Sequence, residues 1–212
     1  APLDAQEQVL ARLTRLLPDV DAVIVLDQVE EAECGIVTER VRESLTRLAG
    51  GEPRRVFWVD SRTRIGLFRG LIVKVNAREA VREAFGERAD AGEDTVVGQA
   101  TLELARRTGK PVFVTAGERG IWISGPAAVL IPSVHVEGPT DPTGAGDSAT
   151  AGAVLSLCAG ATLQEAALVA NLVASITVQQ LATTGTAAPS QLGPRLEMWR
   201  SQAKGTHDAV RD

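Results

Sequence analysis

The chain has 212 residues, 44% of them hydrophobic and 23% charged, enough apolar material for one globular domain with a sizeable core and too much for a disordered one. A formal net charge of -5 provides no global positive field for nucleic acid or an anionic membrane, so the expected partner is a small molecule. Cys34 and Cys158 are the only cysteines; they have neither metal spacing nor the look of a disulfide framework, which points to a reducing cytoplasm.

In chain order, residues 1–17 are amphipathic, with Val9, Leu10, Leu13, Leu16 and Leu17 at helical spacing. They lack the charged start and unbroken apolar run of a signal peptide, and no apolar stretch reaches spanning length. Residues 22–26 read as a buried strand, 37–48 as a helix ended by Gly50-Gly51, and 56–59 as a second strand ending at Asp60. A third strand over 71–73 precedes a helix over 77–85, a polar loop over 87–95, a helix over 96–107 and a strand over 111–115. Strands spaced by helices predict a mainly parallel sheet covered on both faces. After Thr115 a turn at 117–120 and two short runs, 121–123 and 129–131, separated by Gly125-Pro126, predict a short antiparallel hairpin edge. Helices are predicted over 145–157, 163–181 and, after Pro189, 191–203, followed by a polar frayed tail over 204–212. No repeat or linker interrupts the pattern, so residues 1–212 are expected to form a single domain.

The segment richest in chemistry is Asp141-Pro142-Thr143-Gly144-Ala145-Gly146-Asp147, which runs into a helix of small residues. Glycines at a helix start let the backbone approach a ligand, and the unpaired first N–H groups then face it with the positive dipole end behind them, which makes an anion site. An Asp in such a loop repels phosphate unless it accepts the proton of the hydroxyl that attacks it. Taken alone, the pattern is equally served by an Asp that only complements the helix dipole. Gly144-x-Gly146-x-x-Ala149 also fits a loose dinucleotide fingerprint, but no strand leads into it, and Glu165, about 20 residues on, lies in a helical pattern. Gly109-Lys110 lacks the spacing of a Walker loop.

These residues resemble the ribokinase/PfkB family of carbohydrate kinases. The 141–147 loop is similar to the family's C-terminal signature, Lys74-Val75-Asn76-Ala77-Arg78-Glu79 to its K-P-N-x-x-E segment, and residues 114–120 to its V-T-L-G-x-x-G nucleotide loop. Asn171 and residues 185–190 resemble, more loosely, its adenine-side and cation-side segments. The resemblance implies a ribokinase-like three-layer α/β/α fold with ATP, Mg2+ and a sugar or sugar-like alcohol as ligands. It makes Asp147 the general base and Gly144, Ala145 and Gly146 an anion hole. Asn76, Thr115, Gly117, Gly120 and Asn171 become nucleotide-side residues and Glu79 a magnesium-side residue. Asp141 and Thr143 resemble ligands of a monovalent cation such as K+, and Glu30 a sugar-contacting carboxylate. Without the motif, Glu79 reads as a first-turn helix carboxylate, Glu30 as part of a solvated acidic loop, and Asp141 as the opening of an Asp-Pro turn.

Val75, Ala116 and Pro142 replace the Pro, Leu and Thr that the family prefers, and none removes a catalytic group. No glycine-rich substrate loop or lid precedes Asp21, so the chain is expected to match about the C-terminal two-thirds of a family member. Either another chain or an upstream segment completes a kinase, as a homo-oligomer or complementing partner, or the chain is a nucleotide-binding remnant with little activity. His135 and His207 are expected to be structural or solvated, Trp58, Trp122 and Trp199 core or half-buried, and the Arg54-Arg55 and Arg106-Arg107 pairs solvated.

Overall fold

The computed structural model describes residues 1–208. Its elements are α1 (Leu3–Leu16), β1 (Ala22–Asp27), α2 (Glu39–Gly51), β2 (Val56–Ser61), β3 (Ile72–Asn76), α3 (Ala77–Phe85), α4 (Asp94–Thr108), β4 (Val112–Thr115), β5 (Gly120–Ile123), β6 (Val129–Pro132), α5 (Ala145–Cys158), α6 (Leu163–Thr177) and α7 (Pro189–Asp208). The strands form one mixed sheet in the order β1-β2-β3-β4-β5-β6, flanked by helices in the α/β/α arrangement that the alternation predicts. Of the polar tail, residues 204–208 continue α7, and 209–212 lie outside the described residues. Two compact units make up the chain, Ala1–Val114 with Trp122–Val129, and Thr115–Ile121 with Leu130–Asp212.

In the first unit β1 and β2 are parallel, from Ala22 opposite Val56 to Asp27 opposite Ser61, and β3 joins β2 in the same direction with Asp60 opposite Lys74. Val59, Val73 and Val75 are fully enclosed, as strands covered on both faces require. Trp58 packs on Phe113 at a ring-centroid separation of 5.0 Å, so this tryptophan belongs to the core. β1 is an edge strand, and its Ile24 and Leu26 stay about half exposed at 46% and 52%.

Boundaries also differ from the sequence reading at α2, β3 and α6. α2 continues through Gly50 and Gly51 and ends against Pro53: Glu52, the cap, has φ -127° and ψ 64°. Glycine weakens a helix by about 1 kcal/mol without stopping it, whereas proline excludes the helical conformation from the residue before it. β3 runs through Asn76 because Lys74, polar and so read as outside the strand, is buried and paired with Asp60. α6 ends at Thr177, where the neighbouring Val178 carbonyl accepts the Asp141 N–H at 2.7 Å. Arg55 is also less solvated than expected, donating to the Leu17 and Pro18 carbonyls.

The two runs of the predicted hairpin are β5 and β6, neighbours in the sheet; β4 and β5 are also antiparallel about the turn at 117–120, with hydrogen-bonded partners converging from Val112 and Ser124 to Ala116 and Gly120. Gly120 is obligatory there. Its φ is +115°, and a Cβ would sit 2.1 Å from the Ile131 carbonyl oxygen. In the second unit α5 packs on α6 through small residues; a Cβ on Gly152 would lie 3.2 Å from the Ala170 Cα. A capping box starts α6: Thr162 accepts the Glu165 N–H, and Glu165 Oε2 accepts the Thr162 N–H at 2.8 Å. That use of Glu165 removes the acidic residue the dinucleotide reading needs.

Candidate active site

Gly144 starts α5 in the left-handed region, φ 74° and ψ 0°, which an L side chain adopts only with strain. A Cβ there would also meet Thr184, 3.0 Å from its carbonyl oxygen. With this turn in place the Ala145 N–H donates to the Pro142 carbonyl at 3.0 Å and the Ser148 N–H to the Gly144 carbonyl at 2.9 Å. The N–H groups of Gly146 and Asp147 find no acceptor among the described residues. Two free donors thus sit at the positive end of a 14-residue helix, the arrangement that receives an anion. The Asp147 side chain is exposed, and among the described residues nothing donates to its carboxylate or pairs with it. An unshielded carboxylate beside free amides can take up a proton from a group held at those amides.

Asp141 holds this loop from behind. Its Oδ1 accepts the Thr143 N–H at 2.9 Å and its Oδ2 the Ala182 N–H at 3.0 Å, joining the 141–144 loop to the segment after α6. The hydrogen bonds from Thr143 and then Ala182 hold the Asp141 carboxyl below its ordinary value, so it is ionised near neutrality.

The second unit also has a cleft of about 630 Å3, a size that suits a nucleotide-sized ligand. Val134, Val136, Ala174 and Val178 supply apolar wall, Gly117, Asn171 and Ser175 supply polar groups, and Glu118 and Glu137 supply negative charge. None of its lining residues is Lys or Arg. Ala145, the first residue of α5, also lines the cleft and so connects it to the anion loop. Of the expected nucleotide residues in this unit, Gly117 and Asn171 line the cleft, whereas Thr115 and Gly120 are not among its lining residues. Asn171 is 4% exposed, and its amide donates to the Ile131 and Pro132 carbonyls at 2.8 and 3.2 Å. Only its Oδ1 remains to face a ligand.

In the first unit Asn76 and Glu79 hold each other. Asn76 Oδ1 accepts the Glu79 N–H at 2.9 Å, and Glu79 Oε2 accepts the Asn76 N–H at 3.1 Å, a capping box at the start of α3. Burial raises the Glu79 carboxyl above its ordinary value, with Asp60 adding to the effect. The other Glu79 oxygen stays available to a cation. Glu30 is exposed in the loop after β1, and its carbonyl accepts from Arg64 Nη1 at 2.8 Å.

A family model described as "pfkB family carbohydrate kinase" matches residues 71–191, more than half of the chain. The chain belongs to this family. Among curated relatives, the bifunctional protein HldE of Paramagnetospirillum magneticum is 30% identical over 179 residues, covering 83% of this chain and 35% of its own length. HldE of Bradyrhizobium diazoefficiens is 31% identical, covering 84% and 36%. The chain therefore spans about a third of the length of these relatives. Among solved structures, Escherichia coli phosphofructokinase-2 in complex with potassium aligns at TM-score 0.67 and 16% identity, over 89% of this chain and 62% of that one. Arabidopsis thaliana ribokinase complexed with ribose and ATP aligns at TM-score 0.62 and 19% identity, over 83% and 55%. At those identities the likeness establishes the ribokinase-like fold.

Within this fold the carboxyl ends of parallel strands are where ligands gather, and there the sequence reading missed a buried polar set. Asp27, at the end of β1, is 3% exposed and accepts from Ser61 Oγ at 2.8 Å and from Arg64 Nη2 at 2.8 Å and Nε at 3.2 Å. The fork from Asp27 raises the Arg64 guanidinium above its ordinary value. The same guanidinium donates to the Val29 carbonyl, which fixes the loop carrying Glu30. One strand over, Lys74 Nζ donates to Asp60 Oδ2 at 2.7 Å. An acid ending an otherwise apolar strand is the one sequence signal; its partner lies 37 residues away for Asp27 and 14 for Asp60.

Proposed function

We propose that this chain carries ATP-dependent phosphoryl transfer to a hydroxyl of a sugar or sugar-like alcohol, with Asp147 as general base. The observation that carries this reading is the exposed, unpaired Asp147 carboxylate one residue from free amides at the start of α5. The nucleoside end of ATP takes the cleft, whose acidic lining suits hydroxyl and amino groups and repels phosphate, and the terminal phosphate meets the α5 amides. Asp147 accepts the proton of the acceptor hydroxyl as its oxygen bonds to the γ-phosphorus and the bond to the ADP oxygen breaks. The Gly144-Ala145-Gly146 turn forms the anion hole by presenting the free Gly146 and Asp147 N–H groups, which lower the barrier by facing the charge on the transferred group.

Asn76 and Glu79 fit a hydrated magnesium ion. Magnesium keeps several waters and needs only one or two carboxylates, and the free Glu79 oxygen is a donor of that kind. When bound, the ion neutralises the phosphate charge. Asp141 and Thr143 fit a monovalent cation through the ionised Asp141 carboxylate, whose oxygens each retain a lone pair beyond the bonds to main-chain N–H. Glu30 contacts the sugar. Residues 1–212 belong to one kinase domain, and its site of work is the cytoplasm.

The test is turnover of MgATP with a panel of sugars together with ATP affinity. Asp147→Asn is expected to leave ATP affinity within about twofold and to lower kcat by roughly 10²–10⁴; a variant that retains most of its rate overturns the assignment. A second reading is a nucleotide-binding module of the same fold with little or no turnover, since the cleft and the free amides at the start of α5 serve binding by themselves. ATP binding without turnover of any sugar, unaffected by Asp147→Asn, selects it.

A further inference from the structure

After Pro132 the chain leaves β6 and runs without regular structure along the cleft, where residues 133–138 all line it. A wall with no strand partner must satisfy its main-chain groups some other way. Here the Ser133 N–H donates to the Arg119 carbonyl at 3.4 Å, and side chains serve Pro132, His135 and Glu137, most of them from α7 or held by it. Gln202 clamps His135 from both sides: the His135 N–H donates to Gln202 Oε1 at 3.0 Å, and Gln202 Nε2 donates to the His135 carbonyl at 2.8 Å. Trp199 Nε1 donates to the Pro132 carbonyl at 2.9 Å, which Asn171 also reaches. Arg195 Nη2 donates to Gln179 Oε1 at 2.7 Å, and Gln179 Nε2 in turn reaches the Glu137 carbonyl at 3.4 Å.

We infer that Gln202 and Trp199 are positioning residues for the nucleotide: they hold the 132–137 wall in the shape that accepts it, and so set ATP affinity without touching ATP. The inference rests on the nucleotide reading of the cleft. Neither side chain lines the cleft, so their effect passes through the wall alone. The Gln202 amide reproduces the two-way bonding of a neighbouring strand at one residue, and loss of it leaves the His135 main chain without a hydrogen-bond partner among the described residues. The wall then samples more conformations, and ATP binding must order it again. This separates the two residues from Asp147: they govern binding, and Asp147 governs the chemical step.

The experiment uses the 212-residue chain with Gln202→Ala and Trp199→Phe, the latter removing only the indole donor, and Arg200→Ala as a same-helix control that pairs with Glu197. MgATP affinity is measured by titration calorimetry, amide hydrogen exchange over residues 132–138 by mass spectrometry, and folding by thermal melt. The expected result is faster exchange confined to that wall and MgATP affinity about tenfold weaker for Gln202→Ala, severalfold weaker for Trp199→Phe and unchanged for Arg200→Ala. In turnover assays KM for ATP rises while kcat and KM for the sugar stay put. Unchanged exchange in both variants overturns the clamp. Faster exchange with unchanged MgATP affinity, or a lowered melting temperature with no change in affinity, overturns the positioning role. If the unaltered chain binds no MgATP, the nucleotide reading itself fails and the positioning role with it, while the exchange data still report whether the clamp exists.

Discussion

The Asp141 carboxylate reaches across to Ala182: its Oδ2 accepts the Ala182 N–H at 3.0 Å, while Oδ1 accepts the Thr143 N–H at 2.9 Å. One side chain thus ties the anion loop to the segment after α6. Asp141→Asn keeps the shape but offers an amide N–H to one of two N–H donors, so one contact turns repulsive. Asp141→Ala removes both. Faster hydrogen exchange at Thr143 and Ala182 is expected in each variant, with turnover lowered at least tenfold. The pH dependence has a definite sign. A carboxyl held below its ordinary value adds stability that is present above its unfolded pKa and lost as pH falls through the lower folded value. The protection of the Ala182 amide relative to its intrinsic exchange rate at each pH should therefore fall in the unaltered chain only under acid conditions, and that fall should vanish in Asp141→Ala. Protection that does not change with acid in the unaltered chain would refute the staple.

Gly144 carries two separate demands, a φ of +74° and the lack of a side chain, since a Cβ would sit 3.0 Å from the Thr184 carbonyl oxygen. Gly144→Ala is expected to cost about 1–2 kcal/mol of stability from the backbone conformation alone. The contact with Thr184 main chain should shift the loop as well, so kcat should fall by more than the melting temperature suggests. A variant with full activity and an unchanged melt would show that the turn tolerates a side chain.

Glu79 behaves in the opposite sense to Asp141. Burial raises its carboxyl above the ordinary value, so its contribution to stability is present below the unfolded pKa and is lost as pH rises through the folded one. Without metal, Glu79→Gln should melt no lower than the unaltered chain near pH 7, and the stability difference between them should narrow as the solution becomes acidic. The same substitution should raise the magnesium concentration required for half-maximal turnover. An unchanged magnesium requirement would detach Glu79 from the ion.

Arg64 compensates Asp27, which is 3% exposed, through two hydrogen bonds. Arg64→Ala leaves that carboxylate buried with only Ser61, and a loss of about 3–5 kcal/mol is expected in denaturant melts. Asp27→Asn with Arg64→Met, which removes both charges, should recover much of that loss. Equal destabilisation by the single and the double variant would argue against the pairing.

How far the sequence could be read depended on whether a feature is local. α3 has the predicted limits, Ala77–Phe85, because its capping box and its apolar spacing lie within ten residues of chain. The anion loop is legible for the same reason: two glycines and an acid next to a helix start determine the turn, the free amides and the carboxylate beside them. Gly50-Gly51 misled because glycine signals a stop only when the backbone needs a positive φ, and here proline ends the helix.

By itself, the order of residues determined the alternation of strands and helices, the hairpin and the three family motifs, since propensity, capping and turn chemistry act over a few residues. Only the tertiary structure decided that Lys74 lies inside a strand against Asp60, that Arg64 answers Asp27, that Asn171 directs its amide to the Ile131 and Pro132 carbonyls, and that α7 holds the cleft wall. Each of these pairs brings together groups 14 to 67 residues apart in the chain. Charge and hydrogen bonding fix such contacts only after the core has packed, because burial is what makes an unpaired polar group costly.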